Sequence, residues 1–181
     1  MRLFIASDIH GSATNLEKFF SIVDAALPEN PETKVVLLGD TYNHGPRNPL
    51  PEGYAPMQVA KLLNDAMSFV TVIQGNCDSE VDAMISNFDF LAENVLLNEG
   101  RRIFLTHGHI HNKNNVPHLQ KGDVMLYGHF HICEIVDVNG VTFVNVGSCA
   151  LPKDGNNCYC LVDNCGVGIF DFDDNVIARH C

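Results

Sequence analysis

Short apolar runs alternate with amphipathic stretches along the chain as far as Tyr127. Arg2 to Ser7 is apolar over Leu3 to Ala6 and suits a buried strand. Leu16, Phe19, Phe20, Val23 and Ala26 then recur at helical spacing, with Thr14 and Glu17 placed as a capping box and Pro28 to Pro31 as the stop. Val35 to Leu38 reads as a second strand, Val59, Leu62, Leu63 and Ala66 as a second helix, and Phe69 to Ile73 as a third strand. A short helix near Ser79 and strands over Ile103 to Leu105 and Val124 to Tyr127 follow. From Ile132 the helical spacing stops. Ile132 to Val138, Val141 to Val146, Tyr159 to Val162 and Val167 to Phe172 read as strands, joined by turns such as Asn139-Gly140. The pattern predicts an α/β protein: two mixed sheets packed face to face, with helices outside. There are no internal repeats.

Five short motifs stand at the ends of these runs: Asp8-Ile9-His10, Gly39-Asp40, Gly75-Asn76-Cys77-Asp78, His107-Gly108-His109 and Gly128-His129-Phe130-His131. They offer carboxylate, carboxamide and imidazole donors, which divalent Mn, Fe or Zn accept, and one carboxylate can serve two ions. Ligands of open α/β sheets bind beyond the carboxyl ends of the strands, so five such ends can converge. Asp8 with His10, and His129 with His131, are each two residues apart. In extended chain that spacing puts both side chains on one face, so each pair is expected to grip one metal. Taken singly, such residues are helix caps, turn residues or core histidines. Taken together and in order, they point to a two-metal hydrolytic site.

Composition narrows the setting. A chain of 181 residues suits one domain over 1–181, and 46% hydrophobic with 18% charged residues is an ordinary globular balance. Twenty-two acidic against eleven basic residues give a net charge of -11, with no basic cluster beyond Arg101-Arg102. Long nucleic acid is therefore not an expected partner. Acidic groups gathered around cations would also inflate the negative count. No apolar run is long enough for a membrane span, and Met1 to Ala6 leads into Asp8 without the pattern of a signal peptide, so the cytoplasm is expected. Seven irregularly spaced cysteines read as reduced thiols. Cys158, Cys160 and Cys165 lie close together but contain no Cys-x-x-Cys pair, and a structural zinc is not expected there.

The five motifs resemble those of the calcineurin-like metallophosphoesterases, whose pattern is D-x-H, G-D, G-N-H-D/E, H and G-H-x-H. The stretches Gly39 to Arg47, Gly75 to Asp82 and Leu105 to His109 are similar to the small bacterial YfcE-type phosphodiesterases, and the resemblance runs over nearly the whole chain. It implies a four-layer α/β/β/α sandwich, two mixed sheets flanked by helices, holding two divalent ions. Manganese is the commonest of these, with Fe, Zn, Co, Ni or Mg as alternatives. On that pattern one metal takes Asp8, His10 and His131, the other Asn76, His107 and His129, and Asp40 bridges. The implied activity is a metal-dependent phosphodiesterase in which a water or hydroxide activated by both metals attacks a small phosphodiester. Metals about 3.5 to 4 Å apart do this without a nucleophilic side chain.

Further candidates stand beside the ligands. Cys77 occupies the place where the wider family has histidine, and a thiol is a weak hydrogen-bond donor. This implies dependence on a good leaving group, unless Cys77 simply packs and another group supplies the proton. His109 and Asp78 complete the catalytic candidates, His109 as a contact to phosphate or to a ligand from behind. The loop Asn43 to Pro56 follows Asp40 and is rich in Pro, Gly and Asn, a natural pocket rim with His44 and Arg47 available to substrate together with Asn76. Two other functions use the same fold. A phosphomonoesterase, acting on nucleotides or phosphoproteins, would favour more cationic groups for a more highly charged phosphate, and a noncatalytic scaffold would show loss of metal ligands. The expected partner is a small phosphodiester, with an apolar surface near the C-terminal strands suited to a homo-oligomer.

Overall fold

Alternation of buried residues sorts the apolar side chains of each central strand onto two faces, and that sorting builds the layers. The computed structural model describes residues 2–30, 32–98 and 100–181. Its larger sheet contains β1 (Leu3–Ala6), β2 (Lys34–Leu37), β3 (Val70–Ile73) and β4 (Phe90–Leu91) in parallel. On the other side of β1 lie β10 (Cys158–Asp163), β11 (Gly166–Asp171) and β12 (Val176–His180), all antiparallel. The last strands therefore hydrogen-bond to the first, and the two halves of the sequence share one sheet. The second sheet runs β5 (Asn94–Asn98), β6 (Arg101–Leu105), β7 (Val124–Tyr127), β9 (Val141–Val146) and β8 (Cys133–Val138) in that spatial order, with β6, β7 and β9 parallel.

Leu3, Ile5, Val36, Leu38 and Ile73 meet Ile103, Leu105, Val124, Leu126, Val144 and Val146 between the sheets. The opposite face of the larger sheet, with Phe4, Ala6, Val35, Leu37, Val70 and Val72, is covered by α1 (Ala13–Ala26) and α2 (Pro56–Ala66) through Leu16, Phe19, Val59 and Leu63. The outer face of the second sheet, with Met125, Tyr127 and Phe143, is covered by Leu119 and Phe130 from loops. Both longer helices thus lie on one side, and among the described residues the fourth layer is irregular chain. Its segment between β6 and β7 carries Asn and Pro at 112, 114, 115 and 117, which favour turns over helix.

Other departures have local causes. Helix α1 is capped by Ser12, whose Oγ accepts from Asn15 N at 3.2 Å, so Thr14 and Glu17 lie inside the helix and do not form the expected box. The helix stops at Ala26 before a 3-10 turn over Leu27–Glu29; Pro31, part of the expected stop, lies outside the described residues, as does Met1. The short helix α3 (Glu80–Ala83) begins where expected, with Ser79 and Asp82 as a capping box. The Asn139-Gly140 turn has both residues at positive φ, 56° and 81°, as a two-residue hairpin requires. Strands β4, β5 and β12 were not expected: β4 has two residues, and β5 and β12 expose Val95, Leu97 and Val176.

Candidate metal centre

The carboxyl ends of β1, β2, β3, β6 and β7 deliver all five motifs to one side of the sandwich. The backbone there is not extended. Asp8, His10, Asp40, His129 and His131 all have positive φ, from 49° to 68°, a region costing about 1–3 kcal/mol for such residues when nothing holds it. The extended-chain reason for expecting Asp8 with His10, and His129 with His131, on one face is therefore corrected, although Asp8 and His10 do meet in one ligand cluster. Left-handed turns, fixed by bonds such as His10 N–H to Asp40 O at 2.8 Å and Asp8 N–H to Gly39 O at 3.0 Å, aim these side chains. The pair at β7 separates: His131 turns toward His10, and the His129 ring lies 5.1 Å from that of His107.

Asp8 Oδ1 is buried without a hydrogen-bond partner and faces His131 Nε2 at 3.2 Å and His10 Nε2 at 3.6 Å. Its Oδ2 accepts from Ser7 Oγ at 2.7 Å and from His129 N–H at 2.9 Å. Asp40 stands between two groups, with Oδ2 3.7 Å from His10 Nε2 and Oδ1 3.4 Å from His107 Nε2. Asn76 Oδ1 lies 3.0 Å from His107 Nε2. Three imidazoles are oriented from behind by backbone carbonyls: His10 Nδ1 on Asn43 O at 2.8 Å, His107 Nδ1 on Leu38 O at 2.7 Å and His131 Nδ1 on Leu151 O at 2.6 Å. Donation there leaves each Nε2 as a lone pair facing inward, the arrangement of metal-ligating histidine. Asp8, His10 and His131 form one cluster of ligand atoms and Asp8, Asp40 and His107 another, each within 4.8 Å. An orphaned carboxylate oxygen among inward lone pairs fits divalent cations.

Electrostatics agree. Burial alone would raise the Asp8 carboxyl, but the imidazoles of His10, His131 and His107 outweigh it and hold it well below the usual carboxylate range. His10 is raised: burial opposes its charge, and Asp8, the Asn43 carbonyl and Asp40 more than offset that. His129 and His109 are lowered by burial and by the charge of His107. Burial and the neighbouring Asp40 push the Cys77 thiol up to about 12, so it is neutral at physiological pH.

Two expected site residues are placed differently. Both oxygens of buried Asp78 are taken up by backbone, accepting from Asp40 N at 2.9 Å, Gly75 N at 2.7 Å and Thr41 N at 2.7 Å. Burial raises it to about 6 despite those donors, but it faces backbone and does not line the cavity over the metal centre. It ties the β2 and β3 loops together. His44 also lies outside that cavity, its ring packed edge-on to Tyr54 with centroids 5.3 Å apart. Gly75 is required here, because a Cβ would run into Asp40 N and Oδ1.

The cavity, about 670 Å³, is lined by Asp40, Asn76, Cys77, His129 and His131 and rimmed by Asn43, Arg47, Asn48, Phe130 and Lys153. His109 is exposed and lines an adjoining cavity of about 410 Å³ with Ala92, Glu93 and Ile110. Sequence reasoning missed Lys153. Nothing in its spacing marks it, since it reaches the site only because Lys153 N–H donates to His131 O at 2.8 Å. Cys158 and Cys160 face the intersheet core and Cys165 is exposed, so those three do not converge.

Comparison with known proteins bears on this geometry. Residues 1–166 match the model of the calcineurin-like phosphoesterase superfamily domain. Phosphodiesterase YfcE of Escherichia coli strain K12 is 42% identical over 184 aligned positions, covering 99% of this chain and 97% of that one. The solved structure of YfcE, described as a phosphoesterase, superposes with a TM-score of 0.92 at 39% identity, covering 99% of this chain and 98% of that one. Vacuolar protein sorting 29 from Cryptosporidium parvum, 18% identical with a TM-score of 0.62 over 99% of this chain and 96% of that one, shares the fold.

Proposed function

The chain belongs to the calcineurin-like phosphoesterase superfamily, and from that membership and the site we infer a metal-dependent phosphodiesterase acting on small phosphodiesters. The observation that carries this reading is the position of Asp40, one carboxylate whose two oxygens face two separate histidines, His10 and His107. Asp8, His10 and His131 would hold one divalent ion, Asn76, His107 and His129 the other, and Asp40 both. Two such ions draw charge from phosphoryl oxygens and lower the pKa of a water toward neutrality. The mixed oxygen and imidazole donor set suits Mn2+, with Fe, Zn, Co, Ni or Mg able to replace it. We read residues 1–181 as a single domain, supported by the pairing of β10 with β1. The seven free thiols support action in the cytoplasm.

The chain's own residues do the rest. Backbone carbonyls behind His10, His107 and His131 fix the three rings with their Nε2 atoms aimed inward. Cys77 N–H holds Asp40 Oδ1 at 2.8 Å. The Cys77 side chain, in the cavity wall, is a weak hydrogen-bond donor and, with its pKa pushed up, a weaker general acid than the imidazolium of a histidine in that place. Good leaving groups are therefore favoured. Asn76 and Arg47 remain substrate contacts in this reading, and His109 a contact at the neighbouring cavity. His44 is replaced in that role by Lys153, and Asp78 acts by positioning.

The experiment compares bis(4-nitrophenyl) phosphate with 4-nitrophenyl phosphate in the presence of Mn2+ or a chelator. Diester hydrolysis that exceeds monoester hydrolysis and stops with chelator is expected. Preference for the monoester would assign a phosphatase, and hydrolysis of neither a scaffold.

A further inference from the structure

The cavity over the metal centre is larger than one phosphate needs, about 670 Å³, within the range that holds a nucleotide-sized ligand. Two of the chain's eleven basic residues, Arg47 and Lys153, stand on its rim. Among the described residues neither has an ion-pair partner; the same holds for Arg2, Lys34, Arg101, Lys121 and Arg179, but of these seven only Arg47 and Lys153 line that cavity. Asp154, next to Lys153, forms no ion pair with it, and its carboxylate accepts from Cys133 N at 2.7 Å and Asn156 N at 3.3 Å instead.

Both cations ride on segments fixed to the same part of the site. Asn43 O accepts from His10 Nδ1, and the following turn is tightened by Asn43 Oδ1 on Gly45 N at 2.8 Å and His44 O on Asn48 Nδ2 at 2.9 Å. On the other side, Leu151 O accepts from His131 Nδ1 and Lys153 N–H donates to His131 O. The loops that orient His10 and His131 thus each lift one free cation to the rim, with Phe130 also lining the cavity. In a chain of net charge -11, two uncompensated cations above an acidic centre form a localised receptor for an anion beyond the scissile phosphate.

We propose that the substrate is an asymmetric phosphodiester, one arm of which carries a second, terminal phosphate, and that Arg47 and Lys153 recognise that phosphate. This rests on the diesterase reading. A dianion met by a guanidinium fork and an ammonium matches the two cations in charge.

The test uses the manganese-loaded full chain and two substrates that differ only in the distal group: thymidine 5′-(4-nitrophenyl phosphate) and its 3′-phosphate derivative. Total substrate consumption is followed by chromatography, so that cleavage on either side of the diester counts. The 3′-phosphate is expected to raise kcat/KM about tenfold, mainly through KM. In the double variant Arg47→Gln, Lys153→Gln the ratio of the two substrates should fall to about one. Inhibition by thymidine 3′,5′-bisphosphate, set against thymidine 5′-phosphate, should show the same preference and the same loss without turnover. Equal use of both substrates by the unmodified chain, or an equal loss on both in the double variant, overturns the proposal, since the cations would then be idle or serve the scissile phosphate. Hydrolysis of neither substrate overturns the diesterase reading beneath it.

Discussion

The Nε2 atoms of His10 and His131 stand 3.2 Å apart, while each ring's Nδ1 lies against a backbone carbonyl, Asn43 O for one and Leu151 O for the other. With both Nδ1 protons donated, two lone pairs face one another beside the orphaned Asp8 Oδ1, 3.2 Å from His131. A cation seated there makes that grouping favourable, as does a proton on His10, whose pKa Asp8 and Asp40 raise.

Binding at such a place stabilises the folded state alone. Mn2+ at about a hundred times its dissociation constant should add about 2.7 kcal/mol. For a chain of this size that raises Tm by roughly 5–10 °C. Thermal unfolding with added Mn2+ and with chelator measures it, and identical curves would contradict the assignment.

Cys77 should set the sensitivity to leaving group. Its thiol, raised to about 12 by burial and Asp40, donates poorly. Cys77→His should flatten the dependence of rate on leaving-group pKa across a series of aryl and alkyl diesters, with the largest gain, about tenfold or more, on the poorest leaving groups. An unchanged slope assigns Cys77 to packing.

Asp78→Asn tests positioning. The variant puts an amide where Asp40 N, Thr41 N and Gly75 N all need an acceptor. Metal affinity and kcat/KM should fall about 10–100-fold, as when a group behind a metal ligand is lost. Stability should fall by about 1–3 kcal/mol. The pH profile should keep its shape; a lost limb would make Asp78 a proton carrier instead.

Close approach at Gly128 gives a steric test. A Cβ there would strike Ser7 Oγ and Asp8 Oδ2. Gly128→Ala should weaken metal binding at least tenfold by displacing Asp8, read by titration calorimetry with Mn2+. Leu126→Ala, in the intersheet core, should instead cost about 2–5 kcal/mol of stability in denaturant unfolding while metal stoichiometry is kept.

Much of the fold was legible along the chain, and the reasons are specific. The apolar runs ending at Ala6, Leu38, Ile73, Leu105 and Tyr127 placed five strand ends, and the donors just after them carried the chemistry. The aim of those donors was not legible, because Asp8, His10, Asp40, His129 and His131 take left-handed backbone that no periodicity reports. Asp78 looked catalytic from its motif, and only the three N–H groups around it reveal a structural clamp. Lys153 was invisible because one backbone bond to His131, across the sheet end, brings it to the rim. Ser12 fits a helix cap as well as Thr14 does, and only the bond from Asn15 N to its Oγ decides between them.

Everything proposed for the site turns on one carboxylate, Asp40, shared by two metals, and metal content measures that sharing. After equilibration with Mn2+ and removal of free ion, elemental analysis should find two ions per chain in the unmodified protein. Asp40→Ala should hold one or fewer and lose diesterase activity. One ion per unmodified chain with full activity, or two ions retained without Asp40, would rule out the shared carboxylate.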